Sequence, residues 1–469
     1  MASSSDRLVK LAFSSFSNLM VRQPTLTPAA HEWTNFAAIV ATFPASVSPN
    51  QTQGKSDNPL LTSSESVALD DGSVVQEGFS TPPQKMETIC MATGTKCLSA
   101  SAMSERGDLV HDSHAEVLAR RCLMRFFYQE CLNSIRGSSD FLDFGGSHGI
   151  HRFTVKRGIG FHLVVSHTPC GDASIFPVQP EDRQVIEKRK KVDGPEEFSP
   201  KRQKTATSIH EDTHRTGAKC VPNATACDSY LSGKDYHIIG ALRTKPGRGH
   251  PTLSMSCSDK MMKWNVLGLQ GALLSDFLGP IYLVSLCIAK CPFNFASIRQ
   301  SLVGRSEKFS FSTGGFRRHA PVISQSDLIF SHGKHQADLD VTTQKSTCHK
   351  SILWIRNGDS SSSVEVIING KKQGATGKSK LSPSSRSMVC KMELFLLYEQ
   401  LADRLQSMLS NHSPRLQQER TSYAFAKRKN VSYSSCREDF AAAFPEWTRK
   451  PSKLLEFSTT TTDTETTVD

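Results

Sequence analysis

The triplet His114-Ala115-Glu116 places an imidazole that can ligate a divalent metal two residues before a carboxylate that can carry protons. Zinc hydrolytic chemistry needs both: side chains that hold the metal, and a base, not itself a ligand, that moves protons between water and substrate. Alone, a His-x-Glu triplet is common and reads more readily as a solvated helix start. Two cysteines add to it. Cys170 follows Ser166-His167-Thr168-Pro169 and Cys257 follows Met255-Ser256. Both stand where a helix is expected to begin, so that the helix dipole favours an anion and lowers a thiol pKa. A catalytic zinc takes three protein ligands and keeps one position open. A general zinc-site pattern, His-x-Glu then Pro-Cys-x-x-Cys, is met at Pro169-Cys170, but position 173 is alanine. The third ligand has to come from elsewhere.

The elements that must carry these groups are legible in outline. Residues 114–132 are apolar on almost every side, which predicts a buried helix, yet Arg120 and Arg121 lie in its second turn and buried guanidinium groups need partners. Residues 161–165 read as a buried strand running into the turn at 166–174, residues 264–277 as a buried helix and 281–288 as a strand. The first 40 residues carry helical patterning, including Leu8, Leu11, Ala12 and Phe16, before an apolar run at 36–41. Residues 330–350 and 356–388 are loop-rich, and 389–409 and 422–444 are amphipathic. The expected organisation is an N-terminal helical part at 1–45, a Ser/Pro-rich linker at 46–88, one large domain at 89–457 and an acidic tail at 458–469. Within the large domain, residues 179–232 read as a polar insertion carrying Lys188-Arg189-Lys190-Lys191 and Lys201-Arg202-Gln203-Lys204. These clusters fit a bipartite nuclear signal or an unspecific charge run, so residence in nucleus, cytoplasm or both is expected.

The 469 residues hold 56 Lys and Arg against 45 Asp and Glu, a net charge of +11 that favours a polyanionic partner such as nucleic acid. The 13 scattered cysteines fit thiols in a reducing compartment better than a disulfide framework. The most apolar stretch, 266–289, is interrupted by Asp276 and Pro280 and reads as two buried elements rather than a membrane span.

Five motifs together resemble those of the adenosine deaminases acting on RNA: Gly94-Thr95-Lys96-Cys97, Asp112 to Glu116, Ser166 to Ser174, Lys245-Pro246-Gly247-Arg248-Gly249, and Met255 to Lys260 with Trp264-Asn265-Val266. The resemblance implies a cytidine-deaminase-like α/β fold, a central mixed sheet between helices extended by C-terminal helices that enclose a polyanion. It implies zinc on His114, Cys170 and Cys257, with Glu116 as proton shuttle. It implies a hydrolase acting on a cyclic amidine C–N bond, converting adenosine to inosine in tRNA, just 3′ of the anticodon of alanine tRNA. Inositol hexakisphosphate is the implied second cofactor, held by Arg120, Arg121, Lys260, Lys263, Lys391, Tyr423, Lys427, Tyr433, Arg437, Trp447 and Lys450, with Asp112 paired to Lys260. Implied RNA contacts are Thr95, Lys96, Lys245 and Arg248. The chain departs from the family pattern at His111, where asparagine is usual, and at Arg449, where an acid is common. Two rival expectations are editing of double-stranded RNA and a non-catalytic RNA-binding protein with structural zinc. No obligate protein partner and no membrane association are expected.

Overall fold

A computed structural model describes residues 3–44, 85–145, 152–179, 213–246, 252–374 and 382–459, apart from gaps at 223, 232, 308, 313–314, 341–344, 359–360 and 410–421. Most of the expected linker, both basic clusters and Arg248 lie outside these residues, as does nearly all of the acidic tail.

Eight strands form one mixed sheet: β1 (Phe36–Phe43), β2 (Lys85–Thr93), β5 (Gly160–Val165), β6 (Ser285–Ile288), β7 (Val322–Gln325), β8 (Ser351–Arg356), β9 (Ser362–Ile368) and β10 (Lys371–Lys372). Two short strands outside it, β3 (Thr95–Cys97) and β4 (Asp112–His114), pair antiparallel with each other. Across the sheet the order is β7-β6-β5-β1-β2-β8-β9-β10. The β5, β6 and β7 strands are parallel, and the remaining pairings are antiparallel.

The 36–41 run, expected in a helical N-terminal part, is therefore a central strand. Its residues Phe36 to Thr42 are all buried, the pattern of a strand covered on both faces. Alternate residues divide between two cores. Phe36, Ala38 and Val40 pack with Leu8, Val9, Ala12, Phe16 and Leu19 of α1 (Ser4–Arg22), whereas Ala37, Ile39 and Ala41 join the core that holds α2 (Ala115–Ile135). The expected helix at 264–277 is two pieces, α3 (Cys257–Leu267) and α4 (Gly271–Leu274). A helix α5 (Phe295–Leu302) follows. The loop-rich readings also need correction. Residues 330–350 hold α6 (Lys334–Leu339), and 356–388 hold β9 and β10, because Val364, Val366, Ile367 and Ile368 are β-branched and complete the sheet beside β8. The C-terminal part supplies α7 (Lys391–Leu409), α8 (Tyr423–Ala426) and α9 (Val431–Ala443). Among the described residues no helix is long and apolar enough to cross a membrane.

Candidate active site

Helix α2 begins where β4 ends. His114 has extended backbone angles and stands at the N-cap position, so its ring and the Glu116 side chain in the first turn can approach one point although helical residues two apart do not share a face. Backbone pairing fixes this start: Ala115 N donates to Gly94 O (3.1 Å), and Gly94 N donates to Asn35 O (3.0 Å). A Cβ on Gly94 would lie 2.0 Å from the Ser113 carbonyl oxygen, so only glycine permits the approach.

Cys170 follows β5 in a turn that leads into a three-residue 3-10 segment, Asp172–Ser174, rather than the full helix expected from sequence. Cys257 opens α3, whose N-cap Ser256 accepts from Asp259 N. Gly171, at φ 105°, lets the two turns meet, since a Cβ there would lie 2.3 Å from the hydroxyl oxygens of Ser256 and Ser258. Cys257 N donates to Cys170 Sγ (3.3 Å) and Ser258 N to Cys170 O (3.0 Å).

The three expected ligands come together. His114 Nδ1 is 3.9 Å from Cys170 Sγ and 3.6 Å from Cys257 Sγ, and the three donor atoms lie within 4.8 Å of one another. A tetrahedral zinc, bonded at about 2.0 Å to nitrogen and about 2.3 Å to sulfur, sets its donors roughly 3.5–3.8 Å apart. The donor set therefore fits zinc. The Cys170 thiol is drawn well below its ordinary pKa by the hydrogen bond with Cys257, against burial and with help from Lys245 and His114. Cys257, buried beside that thiol, moves the opposite way. Glu116 is buried, and its Oε2 has no hydrogen-bond partner, which leaves a proton-accepting atom free beside the ligands.

Lys245 corrects a sequence expectation. Placed among the RNA contacts, it is instead wholly buried, with Nζ 2.9 Å from Asp112 Oδ1 and 3.2 Å from Cys257 Sγ. The low-dielectric site draws the cation to the Cys257 sulfur and the carboxylate. Asp112 also binds Lys260 Nζ, as expected, and accepts from His114 N (3.0 Å). Burial alone would raise its pKa, but Lys245 and Lys260 override that and hold Asp112 ionised. Thr95 stands opposite His114 in the β3–β4 ladder, with a buried Oγ1 that has no partner, and Lys96 Nζ reaches Thr347 Oγ1.

Farther along α2 the cations gather. Arg120 lies over the Trp264 ring (5.3 Å), and Lys263 over Phe440 and Trp447 (5.0 and 4.8 Å). Lys427 sits 5.4 Å from the Tyr423 ring centre, and Lys450 Nζ lies 3.3 Å from His111 Nδ1. Lys391 donates to Leu454 O (2.9 Å) and Arg121 Nε to Val389 O (2.6 Å). Tyr433 faces Arg120 and Arg437. Burial, then mutual repulsion, pushes Lys391 down to about 6, Lys263 to about 7, and Lys427 and Lys450 to about 8. Arg120 Nε and Arg121 Nη2 are buried without partners. Among the described residues no carboxylate forms an ion pair with Arg120, Arg121, Lys263, Lys391, Lys427, Arg437 or Lys450. The same surroundings hold His111 neutral, through burial and then Lys450. Arg449 is exposed.

Sequence reasoning missed five charged residues behind the ligands: Asp172, Asp228, Arg243, Asp259 and Arg305. The repeated Cys-x-Asp, at Cys170-Gly171-Asp172 and Cys257-Ser258-Asp259, was the available signal.

The profile described as the adenosine-deaminase (editase) domain matches residues 90–451. The chain is 31% identical over 447 positions to tRNA-specific adenosine deaminase 1 of Mus musculus, covering 79% of this chain and 88% of the relative. It is 30% identical over 507 positions to tRNA-specific adenosine deaminase 1 of Homo sapiens, covering 91% and 94%. To the double-stranded RNA-specific editase B2 of Mus musculus it is 27% identical over 403 positions, covering 82% of this chain but 46% of the relative.

Proposed function

This chain belongs to the adenosine-deaminase (editase) family and is a deaminase enzyme, and from that premise we propose that it converts adenosine to inosine in tRNA by zinc-dependent hydrolysis. What supports the reading is the meeting of His114, Cys170 and Cys257 at zinc-compatible separations beside the free Glu116 Oε2. When bound, zinc supplies the Lewis acidity that makes water a nucleophile near neutral pH. Glu116 takes the proton of the attacking water and delivers protons to N1 and to the departing amine, so that adenosine and water become inosine and ammonia. Asp112, fixed by Lys245 and Lys260, holds the His114 backbone, and Lys245 steadies the Cys257 thiolate. Thr95 Oγ1, buried without a partner opposite His114, is suited to a substrate hydrogen bond.

The finer substrate in this reading is the adenosine just 3′ of the anticodon of alanine tRNA. An unpaired loop base can be flipped into the pocket at lower cost than a duplex base. Incubation with total tRNA, followed by sequencing for inosine, tests the substrate. Inosine just 3′ of the anticodon is expected. Inosine confined to the first anticodon position, or formed only in a long RNA duplex, would refute the assignment.

The cofactor in the cationic space is, in this reading, inositol hexakisphosphate. Its support is the set of mutually repelling ammonium and guanidinium groups, which a buried polyphosphate would neutralise. Mass spectrometry of the denatured protein should release one inositol phosphate per chain, and its absence would overturn the cofactor.

A further inference from the structure

Each thiol-bearing turn continues into an aspartate two residues on, Asp172 after Cys170 and Asp259 after Cys257, and both aspartates are buried. The same two arginines reach both. Arg305, on the 3-10 turn Gly304–Ser306, places Nη1 2.7 Å from Asp259 Oδ1 and 4.0 Å from Asp172 Oδ2, while its Nε donates to Ser301 O (2.9 Å). Arg243 is wholly buried. Its Nε donates to Asp172 Oδ1 (3.3 Å) and its backbone N to Asp259 Oδ2 (3.0 Å). The fork of Arg243 is closed by Asp228, with Nη1 and Nη2 each 2.7 Å from a carboxylate oxygen.

Asp228 lies in the stretch that the sequence reads as an appended insertion. That stretch is joined to the thiol turns elsewhere as well: Gly171 N donates to Thr216 Oγ1 (3.0 Å), and Gly240 N, just beyond it, donates to Asp172 Oδ2 (2.5 Å). A buried ion network of this kind gains little stability over apolar side chains of the same volume. What it supplies is fixed geometry, since planar guanidinium groups bind carboxylates in set directions.

We propose that Arg243, Arg305 and Asp228 form a clamp that sets the separation of the two cysteine sulfurs before the metal arrives. They are positioning residues for the zinc centre, and Thr216, Asp228 and Gly240 are part of that centre's frame. This inference rests on the zinc reading above. It predicts a donor set already spaced for the metal.

Arg305→Lys keeps the charge but loses the planar donor set that reaches Asp172 and Asp259, and Asp228→Asn keeps the volume but removes the charge that closes the Arg243 fork. Glu365→Gln serves as the control. Glu365 is a buried carboxylate bonded to Ser387 Oγ and Met388 N and to none of the metal ligands. Zinc release to a chromogenic chelator, the cobalt(II) charge-transfer spectrum, and kcat and KM on tRNA would be compared at equal thermal stability, adjusted with urea. The clamp predicts zinc affinity about 10- to 100-fold weaker in both variants, a shifted cobalt band, and a lower kcat at unchanged KM. Glu365→Gln should match the wild type in all four. Release from Arg305→Lys and Asp228→Asn at the wild-type rate, or at the rate of Glu365→Gln, would overturn the clamp and leave the zinc reading standing. A folded wild type that binds no zinc would overturn both.

Discussion

Helix α2 serves two regions whose electrostatics are opposite. At its N-terminus the charges are balanced: Asp112 is paired twice, with Lys245 and Lys260, and Asp172, Asp228 and Asp259 answer Arg243 and Arg305. One turn later the balance ends, and Arg120, Arg121, Lys263, Lys391, Lys427 and Lys450 face one another with no carboxylate among the described residues paired to them. The contrast fits two different demands. A balanced site with two cysteines and a histidine is suited to one small cation. A site of a single sign is stable only around a multivalent anion, because isolated buried charges are otherwise too costly.

Four experiments test this contrast. The largest effect belongs to the balanced side: Glu116→Gln should lower inosine formation by about 10²- to 10⁴-fold while zinc content by atomic absorption stays at one per chain. Loss of zinc in that variant would make Glu116 a structural ligand and end the distinction between shuttle and donor. On the unbalanced side, Lys391→Met should destabilise the anion-loaded protein by about 3–5 kcal/mol in urea unfolding, since it removes one partner of a buried pair. The same substitution should stabilise anion-free protein. An equal effect in both forms would mean that the cations are not organised around an anion.

The third concerns pH. Without the anion, Lys391, Lys263, Lys427 and Lys450 have folded pKa values of about 6, about 7, about 8 and about 8, all below the usual lysine value near 10.4. Between these values the unfolded chain binds more protons than the folded one, so stability should rise with pH from about 6 to about 10. Bound anion holds the lysines charged and should flatten or reverse that slope. A flat profile without anion would contradict the single-sign description. Smallest is Lys96→Ala, which should weaken tRNA binding a few-fold and reduce the slope of log affinity against log salt by about 1, with zinc content unaffected.

The sequence carried the chemistry better than the scaffold. His114, Cys170 and Cys257 were legible because metal ligation restricts residue type and each sits at a turn, and Arg120 and Arg121 because an arginine pair on an apolar helix demands an explanation. Lys245 was misread, since a lysine beside Pro246-Gly247 looks like an exposed loop cation and nothing local reveals that Asp112, 133 residues earlier in the chain, will cover it. Asp228 was hidden for the same reason, in a polar segment without periodicity. Strand β1 reads as part of the N-terminal helical segment because a short apolar run carries no period, and β9 reads as loop because its start at Ser362 and Ser363 resembles a linker.

The place of β1 at the middle of the sheet bears on how the protein is made. Made from residues 36–43, it hydrogen-bonds to residues 85–93 on one side and 160–165 on the other, while β2 in turn needs residues 351–356. The pairing of β1 with β2 across roughly 40 intervening residues is cheap, because loop entropy grows only logarithmically with length. The waiting is what costs: contacts this distant in sequence slow folding, and a nascent chain carries unpaired strand edges until most of it has emerged from the ribosome. Lys391 and Lys450 arrive later still, so an anion bound between them and Arg121, as proposed above, would be taken up only at the close of synthesis.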